Sequence, residues 1–260
     1  MANKTSTAQK GIGYKIKNMT DTNMLLTITI VIFFLMYIGA IVFQGEGFLK
    51  PQTFLSMLNA NGALIITSCG MSLVMITGGI DISVGGVVAL VSMCSAVYLD
   101  YHNGSILGAV LISLGIGLAF GIVQGYLVAY LDIQPFIVSL AGMFFARGMT
   151  TIVNTNPFNV QNEAFVALKD TRVIVPGLGS VNKLGRYVDA YVEIGVVVAL
   201  LVVILMFIML RWTKLGRSFY AVGGNQQSAL MLGINVRRTK FLSHLICSLL
   251  AGIGGFVYFL

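Results

Sequence analysis

The sequence predicts an all-α fold: a polytopic bundle of about seven transmembrane helices with a cytoplasmic N-terminus. Hydrophobic residues make up 57% of the 260 residues and charged residues only 10%, and the mean hydropathy is +0.90. A soluble domain carries roughly 25% charged residues, so this chain needs the bilayer as its solvent. Its apolar runs are continuous and do not alternate polar with apolar residues, which favours helices over barrel strands.

Seven apolar runs approach the roughly 20 residues that a helix needs to cross the hydrocarbon core. They are residues 24–43, 53–76, 82–99, 105–131, 136–153, 192–210 and 241–260. The first run exceeds the roughly 7–15 residues of a signal-peptide core and lacks a small-x-small cleavage site, so we predict an uncleaved span. The predicted organisation is an N-terminal cytoplasmic segment, residues 1–23, followed by a transmembrane domain, residues 24–260.

The basic residues predict the orientation of these spans. One group precedes the first run, and another lies in residues 211–240, which contain no acidic residue. Their members are Lys4, Lys10, Lys15 and Lys17, and then Arg211, Lys214, Arg217, Arg237, Arg238 and Lys240. Both groups are expected in the cytoplasm, and the six spans between them, an even number, agree with that expectation.

The loop of residues 154–191 is then expected outside the cell. Its charges nearly balance, with Lys169, Arg172, Lys183 and Arg186 against Glu163, Asp170 and Asp189, and with Glu193 at its edge. A neutral loop of this length, punctuated by Pro and Gly, fits either a small ordered cap or a surface that docks a partner.

Small residues recur at every fourth position of the fourth run. They are Ala109, Ser113, Gly117, Gly121, Gly125 and Ala129. This spacing places them on one helix face, where two backbones can approach closely. We therefore predict tight packing of this helix against another one.

The segment of residues 77–86 interrupts the apolar pattern. It contains four glycines, together with Asp81 and Ser83. A carboxylate deep in a span costs roughly 2.5–3.5 kcal/mol, and transporters build polar sites from interrupted helices. The other interpretation is a tight cytoplasmic turn in which Asp81 or Ser83 caps the next helix. Both interpretations stay open at this point. The candidate path residues here are Gly78, Gly79, Asp81, Ser83 and Gly85.

Two further polar places interrupt or connect the spans. Arg147 lies within the fifth run, where it either snorkels outward, pairs with a carboxylate, or lines a polar path.

In the basic segment, Asn225 can cap a short helix over residues 226–232 that Gly233 can end. Its apolar residues Ala229, Leu230 and Leu232 would then suit a groove on another protein. A bare surface helix is the alternative.

Several classes of function find no support in the sequence. There is no Gly-x4-Gly-Lys-Ser/Thr phosphate loop, so the chain is not expected to hydrolyse ATP itself. No acids, cysteines or histidines show metal-ligand spacing, and His102 and His244 stand isolated. The basic residues fall in short segments between apolar runs, which argues against a nucleic-acid partner. We predict no catalytic residue, no metal and no cofactor.

Three stretches resemble the permease subunits of bacterial ABC importers for ribose, galactose and related sugars. The most specific runs from Gly70 through residues 78–85, Gly-Gly-Ile-Asp-Ile-Ser-Val-Gly. Residues 136–148, Phe-Ile-Val-Ser-Leu-Ala-Gly-Met-Phe-Phe-Ala-Arg-Gly, are similar to the galactofuranose branch. The third stretch is residues 223–234. The family's coupling segment reads Glu-Ala-Ala, three residues, then Gly, whereas this chain has Gln227-Ser228-Ala229 and Gly233.

The resemblance implies a multi-pass permease subunit in the bacterial cytoplasmic membrane. Its implied partners are a second permease subunit in a homo- or heterodimer, a cytoplasmic ABC ATPase, an extracytoplasmic sugar-binding protein and membrane lipid. The candidate path residues would shape a route for a monosaccharide of the galactofuranose, ribose or galactose type. The residues expected to couple to the ATPase are Asn225, Gln226, Gln227, Ser228, Ala229 and Gly233.

Family members typically continue for several helices beyond the point that matches Leu260. The sequence is therefore interpreted as a C-terminally truncated permease. Two other functions stay open from the sequence: a secondary transporter or channel that needs no ATPase, and an inactive truncated permease.

Overall fold

The computed structural model describes residues 21–45, 50–156, 158–181 and 187–260. Seven helices in these ranges are long and apolar enough to span a membrane, which confirms the predicted fold class. They are α1 (Asp21–Gln44), α2 (Pro51–Ile76), α3 (Val84–Tyr101), α4 (Ile106–Ala129), α5 (Pro135–Val153), α7 (Ile194–Trp212) and α10 (Val236–Phe259). The shorter elements are α6 (Glu163–Lys169), β1 (Arg172–Val181), β2 (Tyr187–Glu193), α8 (Lys214–Gly224) and α9 (Gln226–Met231).

Some predictions fall outside the described residues. Residues 1–20, with the four N-terminal lysines, lie outside them, and so do Lys183 and Arg186. The chain divides into two units, residues 1–54 and 55–260. In the first unit, α1 is 24 residues long, which at 1.5 Å per residue is enough to cross the hydrocarbon core.

The centre of the second unit is α10, the helix with the most buried side chains. The face of α4 that packs on it carries the predicted stripe of small residues, and all six members are buried. A Cβ at Gly117 would lie 2.6 Å from the carbonyl oxygen of Ser248, and one at Gly121 would lie 2.9 Å from the Cα of Leu245. The prediction of tight helix packing is therefore confirmed, and its partner is α10.

We expect Gly121→Leu to lower the thermal stability of the protein in detergent, because the new side chain would meet the backbone of α10. Overpacking of this kind costs roughly 1–3 kcal/mol. Gly115→Leu is the matched control, since nothing lies within 4 Å of a Cβ there. The melting temperature of both variants checks this. Equal melting temperatures would contradict the proposed role of Gly121 in packing.

The two long connections lie at opposite ends of α10. At its C-terminal end, Phe165 of α6 stacks on Phe259 with ring centroids 4.3 Å apart. At its N-terminal end, Val236 packs with α8 and α9. The loop of residues 154–193 and the basic segment thus lie at opposite ends of α10. This is expected, because a single span, α7, separates the two connections in sequence. The assignment of the basic end to the cytoplasm stays a prediction from charge.

The loop of residues 154–193, at the C-terminal end of α10, contains regular secondary structure in the residues that the structure describes. Asn162 caps α6 by accepting from the backbone N–H of Phe165 at 3.2 Å. β1 and β2 pair antiparallel, with an irregular register between Val175 and Ser180. The sequence left a small ordered cap and a partner-docking surface open as alternatives for this loop, and it did not predict this two-stranded hairpin.

Candidate functional site

The interruption at residues 77–83 is a turn between α2 and α3. Gly78 has φ +82°, a left-handed conformation that glycine adopts without strain. Asp81 is fully buried, and its Oδ1 accepts from the backbone N–H of Ser83 at 2.9 Å and from its hydroxyl at 2.6 Å. Ser83 is the N-cap of α3 but makes no side-chain bond to that helix. The carboxylate therefore fixes the turn just before α3 begins.

This turn is tied to α4 by a buried amide. The hydroxyl of Ser83 accepts from Nε2 of Gln124 at 2.9 Å, and Gln124 is itself buried. The side chain of Gln124 packs directly on Gly142 of α5, so that a Cβ at position 142 would overlap it. Polar contacts that start at Asp81 thus join the start of α3 to α4, and α5 packs on the amide of Gln124 at their end.

The same turn is tied to α10. The hydroxyl of Thr77 donates to Oγ of Ser243 at 3.2 Å. The ring of His244, which is 2% exposed, lies beside the turn, with its Cε1 atom 3.5 Å from the Cβ position of Gly79. The fold thus brings His244, which stands isolated in the sequence, to this turn. Gln124 and His244 are both polar residues inside apolar runs, and this exception to the hydropathy pattern was the sequence feature that could have identified them.

The structure brings together only some of the predicted path residues. Asp81 and Ser83 are buried side by side, and Gly79 packs on Val74 and His244. Gly78, Gly85 and Arg147 are exposed, and Arg147 does not join the buried polar group. Asp81 and Ser83 are thus closed off from the surface in this conformation. A role for these residues in a transport path stays a prediction.

The basic segment folds largely as predicted. Asn225 caps α9 by accepting from the backbone N–H of Ser228 at 2.9 Å, and Gly233 follows the helix with φ +77°. One expectation was wrong: Ala229 is not available to a partner, because it is buried against Val222 and Val236. Its place on the surface is taken by Met231, which is 87% exposed.

We call residues Leu230, Met231 and Leu232 the apolar tip. They are 66%, 87% and 77% exposed, and they project beside the polar side chains of Gln226, Gln227 and Ser228, which are also exposed. Three large apolar side chains exposed together at a polar end of a protein mark a contact surface.

The end of α8 lies directly against the end of α2. A Cβ at Gly223 would overlap the carbonyl oxygen of Ile76, whereas nothing lies within 4 Å of one at Gly224. One turn earlier on the same face of α8, Phe219 is fully buried in the core with Leu73 and Met206. Packing contacts thus run from α9, through Ala229 and Val222, along α8 to the end of α2 and the start of the turn of residues 77–83.

The seven apolar helices of the described residues define a class of protein, the polytopic all-α membrane proteins. Residues 53–260 match the protein family described as "Branched-chain amino acid transport system / permease component", and the chain belongs to this family. Relatives described below carry the names of import permeases for fructose and ribose. Location in the cytoplasmic membrane as a multi-pass protein is thereby shown.

Three relatives illustrate the likeness. The fructose import permease protein FruG of Bifidobacterium longum is 33% identical over 99% of this chain and 72% of its own length. The inner membrane ABC transporter permease protein YjfF of Escherichia coli is 33% identical over 92% of this chain and 69% of its own. The ribose import permease protein RbsC of Escherichia coli is 30% identical over 86% and 66%. No solved structure matches the chain significantly.

Proposed function

We propose that this chain is the membrane-spanning permease subunit of an ATP-driven importer that carries a monosaccharide into the cytoplasm. The observation that carries the proposal is the apolar tip of residues 230–232, held at the basic end by a capped helix. An ATPase with an apolar groove would cover it. The names of the relatives, which include import permeases for fructose and ribose, support the substrate class.

The partners follow from this function. A cytoplasmic ATPase would receive the tip, a second permease subunit would complete the passage, and an extracytoplasmic binding protein would deliver the sugar. Relatives at 33% and 30% identity are named for different sugars. The preference for galactofuranose therefore stays a prediction from residues 136–148.

The test of this function is purification with native partners, followed by ATPase measurement across fructose, ribose, galactose and galactofuranose. We expect an ATPase and a sugar-binding protein to co-purify, and one of these sugars to stimulate hydrolysis. Sugar transport that proceeds fully without an ATPase would favour the competing class, a secondary transporter or channel.

We expect Met231→Glu together with Leu232→Glu to weaken association with the ATPase at least about ten-fold. Each charged side chain would face an apolar groove, and burial of an unpaired charge costs several kcal/mol. The readout is the amount of ATPase retained on the purified permease. Leu178→Glu, an exposed apolar residue of β1 at the other end, is the control and should retain it. Equal retention by both would remove the tip from the interface.

A further inference from the structure

A cavity of about 410 Å³ lies where the basic end of α7 meets α8. Two arginines, two aromatic rings and one leucine line it: Phe207, Leu210, Arg211, Arg217 and Tyr220. Phe207 and Arg211 are four residues apart on α7, and Arg217 and Tyr220 are three apart on α8. Each pair therefore shares a helix face, and the two faces enclose one common space with a guanidinium group on either side.

The positive charge of this cavity is not neutralised locally. Residues 211–240 contain six basic residues and no acidic one, and among the described residues neither Arg211 nor Arg217 forms an ion pair. Nη1 of Arg217 donates to the carbonyl oxygen of Trp212 at 3.5 Å, which leaves most of the five N–H donors of that guanidinium for a ligand. Since the planar fork of arginine matches the oxygens of a phosphate, the cavity suits a phosphate group.

An exposed apolar stripe of α7 leads from this cavity along the span. Leu200, Ile204 and Phe207 precede Arg211 at intervals of four and three residues, so all four share one helix face. The three apolar side chains are 50%, 59% and 59% exposed, whereas Met206 on another face is buried in the core. The stripe is about 10 Å long at 1.5 Å per residue. A cationic pocket at the end of an apolar stripe matches the head and the acyl chain of a phospholipid.

The aromatic residues beside the cavity are those of a membrane–water interface. Trp212 is 65% exposed and packs edge-on against Phe207, with ring centroids 5.7 Å apart. Tyr220, in the cavity wall, is 55% exposed. Because tryptophan and tyrosine are enriched at the level of the lipid headgroups, the cavity lies at the depth where lipid phosphates are concentrated.

We propose that this cavity binds the phosphate of an anionic phospholipid, with Arg211 and Arg217 on the phosphate and an acyl chain along the stripe. Basic pockets between transmembrane helices hold anionic headgroups in this way. A zwitterionic headgroup fits less well, because its own cation would lie near the two guanidinium groups. A protein partner would need carboxylates for both arginines and an apolar surface for the stripe. The site is independent of the transported solute and of any ATPase.

The test uses the fluorescence of Trp212, the one tryptophan of the chain, which contacts the cavity wall at Phe207. The purified protein is placed in phosphatidylcholine vesicles that contain increasing fractions of brominated phosphatidylglycerol or, in parallel, of brominated phosphatidylcholine. Bromine quenches tryptophan only at short range. We expect half-maximal quenching at an at least about five-fold lower fraction of the anionic lipid, because each arginine near an anionic lipid contributes a factor of about five.

Two results of this titration would overturn the proposal. Equal quenching by the two brominated lipids would show that the cavity does not select an anionic headgroup. Absence of quenching by either lipid would show that protein, such as a second copy of this chain, covers the cavity instead.

Paired variants separate the cavity from the general charge of this end. Arg211→Gln together with Arg217→Gln should make the two lipids quench equally. The control, Arg237→Gln together with Arg238→Gln, removes the same charge from exposed positions at the start of α10 and should keep the preference. Loss of the preference in both double variants would mean attraction by the surface as a whole and would contradict a specific site.

Inorganic phosphate separates a lipid from a free anion. Compared with sodium chloride at the same ionic strength, it should leave quenching by brominated phosphatidylglycerol unchanged, because a free anion makes no contact with the apolar stripe. Stronger relief of quenching by phosphate than by chloride would assign the cavity to a free phosphate and overturn the lipid assignment.

Discussion

Gly223→Val is expected to reduce sugar uptake at least about ten-fold while the protein still reaches the membrane, since coupling energies of 1–3 kcal/mol correspond to changes of roughly 5–150-fold. The physical reason is a backbone overlap: the new Cβ would meet the carbonyl oxygen of Ile76. A carbonyl of the main chain cannot rotate away as a flexible side chain can. The end of α8 must therefore move off the end of α2, which disturbs the packing that connects α9, through α8, to the turn of residues 77–83.

The adjacent glycine gives a matched control. Gly224→Val adds the same side chain one residue later, where nothing lies within 4 Å of a Cβ, so uptake should be close to normal. ATP hydrolysis by the complex separates two outcomes for Gly223→Val. Hydrolysis that continues without uptake means that coupling is lost, as we expect. Normal uptake by Gly223→Val at normal membrane levels would show that this contact does not transmit motion.

Asp81→Ala is expected to abolish uptake. The substitution removes the acceptor of both the N–H and the hydroxyl of Ser83, and each buried donor left unsatisfied costs about 1–3 kcal/mol. The start of α3 and its link to Gln124 would lose their fixed geometry. Uptake normalised to the amount of protein in the membrane is the measurement. Asp81→Asn keeps one oxygen acceptor and should retain more uptake than Asp81→Ala.

The control for the loss of charge is Asp132→Asn. Asp132 is exposed, and its φ of +53° is a conformation that asparagine also adopts readily. We expect normal uptake from this variant. Normal uptake by a well-expressed Asp81→Ala protein would remove Asp81 from the mechanism altogether.

Hydropathy predicted the spans because the bilayer imposes a length and an apolar composition on each of them. The largest error is at α10, which begins at Val236 rather than at residue 241. The apolar run excludes Arg237, Arg238 and Lys240, yet the helix extends past the apolar region and includes them. Local chemistry also predicted α9, since a cap at Asn225 and a stop at Gly233 are properties of neighbouring residues.

The buried polar site could not be predicted in the same way. A hydropathy pattern says that a helix lies in lipid, but not which face of it meets which neighbour. Ser83 and Gln124 are 41 residues apart in sequence, and Thr77 and Ser243 are 166 residues apart. Single polar residues such as Gln124 were visible as exceptions in apolar runs, but their partners became visible only when the helices were packed together.

The burial of Ala229 shows the same limit on a smaller scale. The sequence predicted α9, but its six residues are too few to show which side faces the protein. Ala229 lies inward against Val222 and Val236, and the larger Leu230, Met231 and Leu232 lie outward. A small residue suits the close contact with α8 and α10, and the large ones suit a partner.

Uptake of a labelled monosaccharide by vesicles that contain this chain with its native partners tests the proposed function most directly. We predict uptake when the ATPase partner is intact and ATP is supplied on its side of the membrane. Replacing the phosphate-loop lysine of that ATPase should abolish uptake while leaving the complex assembled. Uptake that continues unchanged with the inactive ATPase, driven instead by an ion or sugar gradient, would contradict the assignment as an ATP-driven permease.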